Sequence, residues 1–471
     1  MRSVAEGMSG ADAGRSIAEP AGVVPGELLE IAERVAGWAR SGEQIEVYVS
    51  RGTELDIRVY DGDVESLSSA SSAGVGIRVI AGSRQGFAYA GAIDDLLITE
   101  TLAEARDNAT FATPDEFVGL AEPDGVPPVS LELWDDAVDS TSVAAKVEMA
   151  LELERQVRGS DPRIRQVDSA DYGDVMAEAA VASSLGMRAT SRRTVCSLSV
   201  SAIAGQGVDS HSGVGFSAGR GPGDLEVHRA ALDATMRATR LLGATKARSG
   251  RFVVVFDPRV TSTLLSVLSS ALSGEAVTKG RSLFAERMGE QVAVGSVTLV
   301  DDPTDQRAFG AAAFDAEGLA CRRNVLIDSG FLRRFVFDTA TARRAATTST
   351  ASAVRGGYAS TPTAGCRALS LVPGTLDARE ILADVGDGLY VQSVTGVHSG
   401  VNPISGDFSV GVEGLLIRDG VLADPVREVT IASTLQRMLQ SVLHVGSDLE
   451  WLPGMAAGQS LAVGDMALSG A

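Results

Sequence analysis

Glu275 and Lys279 are a pair of side chains whose types and spacing would allow a catalytic role. Residues four apart on a helix lie on the same face, so the Glu275 carboxylate and the Lys279 ammonium can meet. A carboxylate in that position could act as a general base at a metal-free centre. It could equally form an ordinary ion pair on a helix surface, which is the interpretation we favour. Glu275 is therefore a candidate catalytic residue and not an assigned one.

A second candidate site is the polar, glycine-containing stretch from His398 to Asp407. Its side chains could enter a chamber and hold a peptide backbone by hydrogen bonds, which makes them candidate substrate-binding residues: His398, Ser399, Asn402, Ser405 and Asp407. A Ser–His–Asp relay would use the same residue types, with His398 as its catalytic base. No Gly-x-Ser-x-Gly turn accompanies them, however. The same residues are also common in turns, so turn formation remains an alternative to substrate binding.

Residues that bind zinc are few and scattered. The sequence has four histidines, none of them three to five residues from another: His211, His228, His398 and His444. A zinc site needs three or four ligands that converge on one point. The residues around Glu275 do not help, because Gly274 has no side chain and the Lys279 ammonium has no free lone pair. We therefore predict that this chain has no metal site and no cofactor of its own.

The composition limits the classes of function. The chain has 471 residues, of which 45% are hydrophobic and 22% charged, which is typical of a soluble protein with two or three domains. Its formal net charge of −20 argues against binding to nucleic acid or to a membrane surface. The three cysteines are far apart, and the sequence lacks a signal peptide and a long apolar segment. These features predict a cytoplasmic protein.

The sequence predicts an α+β fold with several domains to position these residues. Antiparallel strands dominate this fold, and helices flank the sheets. We predict a disordered tail over residues 1–24 and three domains, over residues 25–120, 131–245 and 246–471. In the last domain, the strand 252–256 leads through Asp257-Pro258 into a long apolar helix that carries Glu275. A final helix is predicted over residues 430–445.

Three blocks of sequence resemble the TldD/PmbA family, known as modulators of DNA gyrase. The first block runs from Val59 to Ser66 and continues at residues 74–79, with Gly-Val-Gly-Ile-Arg-Val. The second is Ser-Gly-Glu-Ala-Val at residues 273–277, and the third is residues 396–411, which contain Asn-Pro-Ile-Ser-Gly-Asp-Phe-Ser. The chain is most similar to the PmbA/TldE-type branch, whose members lack the zinc-binding histidines of the TldD-type branch.

This resemblance implies a metallopeptidase-like fold and a pseudoenzyme role in proteolysis. The chain would be the noncatalytic, metal-free subunit of a TldD/TldE-like heterodimer, inactive as a peptide-bond hydrolase without its partner. It would help to form a chamber and bind a peptide for degradation or maturation. The only zinc would lie in the TldD-type subunit.

Two alternatives remain. The chain could be a homodimeric, metal-independent amide or peptide hydrolase of a specialised biosynthetic pathway, because Ala-Ser-Thr-Leu at residues 432–435 departs from the usual family pattern. It could also be a regulatory protein that binds peptides without cleaving them.

Overall fold

The computed structural model describes residues 25–471, so the tail predicted for residues 1–24 lies outside the described residues. The described chain is an α+β protein whose sheets are mainly antiparallel, as predicted. The one parallel pairing between named strands within residues 25–471 joins Gly250–Phe256 to Gly388–Thr395. None of the helices in this part of the chain has the length and apolar character needed to cross a bilayer.

The first half of the chain forms one six-stranded sheet with helices packed against it. Its elements, in chain order, are α1 Pro25–Ala36, β1 Glu43–Tyr60, β2 Asp63–Ala81, β3 Arg84–Ala90, α2 Asp95–Phe111, α3 Ala137–Ser140, α4 Val143–Ser160, β4 Ile164–Ser183, β5 Arg188–Gln206, β6 Asp209–Gly219 and α5 Val227–Thr239. The strand order is β3-β2-β1-β4-β5-β6. Strands β1, β2, β4 and β5 are each 18 to 20 residues long, because sheet pairing runs through the polar residues within them.

This sheet contains the same arrangement twice. A helix, a three-stranded meander and a second helix are followed by a second set in the same order, and the two sets meet where β1 pairs with β4. The predicted domains 25–120 and 131–245 thus contribute three strands each to one sheet. Alternate residues of β1, such as Val47, Val49 and Ile57, are buried beneath the helices. The opposite face of the sheet carries no helix of these two sets, and part of it, including Glu46 and Arg78, contacts the second half of the chain.

The second half of the chain is built from shorter elements. They are β7 Gly250–Phe256, α6 Pro258–Ala271, α7 Gly274–Thr278, β8 Leu299–Asp301, β9 Asn324–Asp328, β10 Phe331–Leu332, α8 Thr339–Arg344, β11 Ala353–Val354, β12 Thr363–Ala364, β13 Leu369–Leu371, α9 Ala378–Val385, β14 Gly388–Thr395, α10 Val397–Gly400, β15 Asp407–Arg418, β16 Val421–Thr434, α11 Leu435–Gln440, β17 Val442–Val445, β18 Glu450–Trp451, β19 Ala457–Gly458 and β20 Leu461–Ser469. The large sheet has the order β16-β15-β14-β7-β20-β17. Since β16 also pairs with β20, five of its strands close into a ring.

Two predicted helices of this half are wrong. The helix after Asp257 ends at Ala271, and Glu275 lies on the separate short helix α7. The chain breaks there because Ser273 is extended and the Gly274 amide donates to the carbonyl of Val336 at 2.7 Å. The final helix predicted over residues 430–445 is mostly strand, since β16 pairs with both β15 and β20. Only α11 is helical there.

A buried cluster of charges joins the two halves. Arg78 of β2 contacts Glu46 of β1 at 2.5 Å and Glu317 of the second half at 3.5 Å. Arg355 contacts the other oxygen of Glu46 at 2.5 Å, and both of these side chains are 2% exposed. Burial opposes the ionisation of Glu46, but the two guanidinium groups hold its pKa below the ordinary value. Tyr358 adds to this junction by packing against Gly74, where a Cβ would lie 2.6 Å from its ring.

Candidate functional site

The short helix α7 begins with Gly274 and Glu275, and Lys279 is the residue directly after its last turn. The Ser273 hydroxyl caps this helix by accepting a hydrogen bond from the Ala276 amide at 3.2 Å. Glu275 and Lys279 follow on one face, with Nζ of Lys279 at 2.5 Å from Oε1 of Glu275. Both side chains are nearly half exposed, at 46% and 45%. The i,i+4 contact is therefore a solvent-screened ion pair, which is the surface interpretation that the sequence favoured.

Gly274 is buried against helix α8 and the segment that precedes it. A Cβ at this position would overlap the ring of Phe337 and lie 2.8 Å from the Thr341 hydroxyl. An imidazole is much larger than a methyl group, so the surroundings would have to move to admit a histidine. Phe337 thus occupies the space into which a side chain at position 274 would project. No spacing in the sequence connects these two residues, and the sequence analysis missed Phe337.

Zinc, the metal that a metallopeptidase would use, does not fit these residues. Position 274 offers no donor atom, and the Lys279 ammonium is already paired with Glu275. Throughout residues 25–471, no group of three or more His, Cys, Asp or Glu side chains is arranged to hold a metal ion. The four histidines lie on four different elements, with His211 on β6, His228 on α5, His398 on α10 and His444 on β17.

The second predicted site, residues 398–407, spans the end of α10, a turn over residues 401–406 and the first residue of β15. Oδ1 of Asn402 accepts the amides of Ile404 at 2.9 Å and Ser405 at 3.2 Å. The Ser405 hydroxyl donates to Oδ2 of Asp407 at 2.7 Å. Gln436 of α11 then fixes the turn from outside by donating to the Ser405 carbonyl at 3.0 Å. Three of the five candidate binding residues therefore build the turn.

His398 and Ser399 are exposed beside this turn. The Ser399 hydroxyl donates to the carbonyl of Gly396 at 3.2 Å and does not contact His398. In the described part of the chain, His398 forms no hydrogen bond or ion pair with Asp407 or Glu275. The structure thus places a histidine and a serine on the surface without assembling a catalytic relay.

The cysteines are poor nucleophiles in this fold. All three are buried and unpaired: Cys196, Cys321 and Cys366. Burial raises the pKa of the Cys196 and Cys321 thiols to about 12 and that of Cys366 well above its ordinary value. Because the thiolate is the reactive form, none of them supports covalent catalysis.

A further group of polar residues was missed because its members come from distant segments. Arg193 of β5, Arg355 after β11 and Arg367 before β13 line one cavity of about 300 Å³. The cavity lies where the helix-free face of the first sheet meets the second half of the chain. Basic residues of this kind carry no motif in sequence, so only the tertiary structure brings them together.

Comparison with known proteins assigns these features to a family. Three family models match the chain in order, described as PmbA/TldA metallopeptidase domain 1 over residues 45–110, the central domain over residues 136–242 and the C-terminal domain over residues 249–470.

Individual relatives match over nearly their whole length. Metalloprotease PmbA of Escherichia coli O157:H7 is 27% identical over 440 residues, which are 92% of this chain and 95% of that protein. A Haemophilus influenzae metalloprotease TldD homolog is 27% identical over 419 residues, or 86% of each chain. The crystal structure of TldE from Thermococcus kodakarensis superimposes with a TM-score of 0.85 at 23% identity, covering 94% of this chain and 99% of the other.

Proposed function

Since the chain belongs to the PmbA/TldD metallopeptidase family, we propose that it is a noncatalytic, metal-free subunit that joins a TldD-type zinc peptidase. In that complex it shapes the chamber and helps to bind the peptide that its partner cleaves. The substrate is a peptide destined for degradation or for trimming during maturation. Neither nucleic acid nor a membrane is a partner in this proposal, which agrees with the net charge of −20.

The main support for this proposal is the packing around Gly274. The helix that would present two histidines in a TldD-type peptidase presents Gly274 and Lys279 here. Phe337 fills the place of the first ligand, and Glu275 neutralises the residue at the second. The rest of the fold is kept, which supports a role that depends on the shape of the chain and not on a metal.

Residues 398–407, at the end of α10 and in the turn that follows it, supply the proposed peptide contacts. Asn402, Ser405 and Asp407 hold its backbone, while the exposed His398 and Ser399 can exchange hydrogen bonds with a bound peptide. In this proposal His398 and Ser399 touch substrate, and the other three position them.

A self-sufficient amide hydrolase receives no support from this geometry. Its general base would be Glu275 or His398, but Glu275 is ion-paired and the two residues do not contact each other within residues 25–471. Cytoplasmic localisation is part of our proposal, since three unpaired thiols suit a reducing compartment.

Co-expression with a TldD-type homologue tests the proposal. The tagged chain is purified alone and with the partner, and each sample is examined by size-exclusion chromatography, zinc analysis and peptide hydrolysis. We expect a stable heterodimer in which zinc and hydrolysis appear only when the partner is present. A partner variant without its two histidines should still bind this chain but lose both zinc and activity.

Two results would overturn the proposal. One is tightly bound zinc in the isolated chain, and the other is failure to associate with any TldD-type homologue. Glu275→Ala separates the alternatives further: we expect no loss of hydrolysis in the heterodimer, whereas a metal-independent hydrolase would lose its activity.

A further inference from the structure

The helix-free face of the first sheet borders two adjoining cavities. Their volumes are about 320 Å³ and about 300 Å³, and both are lined by Tyr48, Ser191, Arg193 and Arg355. The wall formed by the sheet carries small side chains such as Ser50, Gly52, Ala177 and Ala179. The opposite side is formed by the second half of the chain, including residues 311–316. The result is a cleft between the two halves.

The second cavity is strongly basic although the chain as a whole is acidic. Its wall contains Arg192, Arg193, Arg355 and Arg367 but only one acidic residue, Asp315. The Asp315 carboxylate accepts the backbone amides of Glu317, Leu319 and Ala353, and it forms no ion pair with an arginine of the described chain. Burial, and then repulsion by the Glu317 carboxylate, raise the pKa of Asp315 above its ordinary value.

Two of these arginines already have partners inside the protein. Arg355 is paired with Glu46 at 2.5 Å, and its guanidinium lies 4.6 Å from the centre of the Tyr48 ring. Arg192 stacks over Trp134 at 5.4 Å. These contacts hold Arg355 and Arg192 in place at the wall of the cavity.

Arg193 and Arg367 have no carboxylate within 4.0 Å, and their guanidinium groups donate no hydrogen bond to any other residue of the described chain. Nε of Arg367 is fully buried without a partner. Arg193 is open to solvent but lies on a concave wall, where desolvation and then the repulsion of Arg367 lower the pKa of its guanidinium. Arg193 and Arg367 thus line one cavity as two cations without a counter-charge, which is unfavourable. A bound anion would lower this free-energy cost.

We propose that Arg193 and Arg367 bind a carboxylate of the peptide substrate, which lies along the small side chains of the first sheet. This inference rests on the proposed function, because it names the chemistry by which the noncatalytic subunit holds its peptide. A guanidinium can donate two parallel hydrogen bonds to a carboxylate, which gives both affinity and orientation. The carboxylate comes either from the C-terminus of the peptide or from an acidic side chain.

Three peptides of one Ala/Ser/Gly sequence, each labelled with an uncharged boron-dipyrromethene dye, test this proposal with the full-length chain. The first has a free C-terminus, the second is amidated and carries one internal glutamate, and the third is amidated and neutral. Fluorescence anisotropy measures the Kd of each. We expect the first or the second to bind about tenfold more tightly than the third, the usual size of a charge-assisted contact. Whichever binds more tightly identifies the source of the carboxylate.

Variants assign the preference to the two arginines. Arg193→Gln/Arg367→Gln should abolish the tenfold preference and leave the affinity for the neutral peptide unchanged. Arg165→Gln is the matched control, since Arg165 is an exposed arginine of β4 outside both cavities. Circular dichroism and association with the TldD-type partner show whether each variant is folded.

The inference is overturned if the wild-type chain binds none of the peptides or all three equally. It is also overturned if the double variant keeps the preference, or if Arg165→Gln loses it as well. These outcomes leave the proposed function standing as long as the heterodimer still forms. Loss of the heterodimer in the wild-type chain would instead count against the proposed function. The peptide comparison needs no variant, so it remains decisive if the double variant does not fold.

Discussion

Asp301, at the end of β8, is a carboxyl group that the fold shields completely from water, with an exposure of 0%. Oδ1 accepts the amides of Arg367 at 2.9 Å and Ala368 at 2.8 Å, while Oδ2 has no partner. Burial raises the pKa of Asp301 from 3.8 to about 6. The folded chain therefore binds this proton more tightly than the unfolded chain does. Its contribution to stability is present at low pH and is lost as the pH rises through about 6.

Asp301→Asn should remove this contribution to the pH dependence. Urea unfolding measures the free energy of unfolding of both chains at pH 4 and pH 7. Between these pH values the wild-type chain should lose about 2–3 kcal/mol more than the variant does. Asp328→Asn serves as the control because Asp328 is half exposed and forms only a weak pair with Arg333 at 3.9 Å. Identical pH profiles for wild type and Asp301→Asn would contradict the prediction.

At the scale of elements, glycines set how closely helices approach the edge strands of the first sheet. A Cβ on Gly215 of β6 would overlap the carbonyl oxygen of Ala230 on α5, and a Cβ on Gly86 of β3 would overlap that of Ala105 on α2. The same close approach therefore occurs at both edges of the sheet. A backbone carbonyl cannot rotate away as a flexible side chain can, so the helix itself must shift.

Gly215→Ala should lower the free energy of unfolding by about 1–3 kcal/mol, the usual cost of overpacking. Urea unfolding monitored by circular dichroism measures the change. Gly26→Ala is a matched substitution on α1, where no atom lies within 4 Å of the added methyl group. It should alter stability by less than about 1 kcal/mol. Equal effects of the two substitutions would show that close helix packing does not explain Gly215.

At the scale of the whole molecule, Arg78 and its two carboxylate partners form one of the buried contacts between the two halves. Arg78→Met keeps the length of the side chain but leaves Glu46 and Glu317 buried without this guanidinium. We expect a loss of about 3–5 kcal/mol in the free energy of unfolding, because an unpaired buried charge is costly. Limited proteolysis should also cleave between the halves more rapidly.

Arg58→Met is the control for this prediction. Arg58 pairs with Asp171 at 2.7 Å on the same sheet, but its side chain is 52% exposed. Water screens such a pair, so its loss should cost less than about 1 kcal/mol. If Arg78→Met and Arg58→Met had the same free energy of unfolding, the buried cluster would not stabilise the contact between the halves.

Local signals in the sequence encode several features of the structure. Asp61-Gly62 forms the hairpin turn between β1 and β2, with φ of 54° and 83°. Asp94 caps α2 by accepting the Leu97 amide at 3.2 Å, and Asp257-Pro258 begins α6. The Glu275–Lys279 pair also formed as expected. Each of these depends on residues within four positions of one another, so the chain needs no distant contact to specify them.

The sequence by itself determined the family, the α+β class and the lack of zinc-binding side chains at positions 274 and 279, because residue types fix which donor atoms exist. Only the tertiary structure decided that residues 430–434 pair as a strand, that Phe337 fills the space beside Gly274 and that Arg193 and Arg367 share a cleft. These features join segments far apart in the chain. Sheet pairing and packing between such segments depend on the whole fold, and local propensity does not report them.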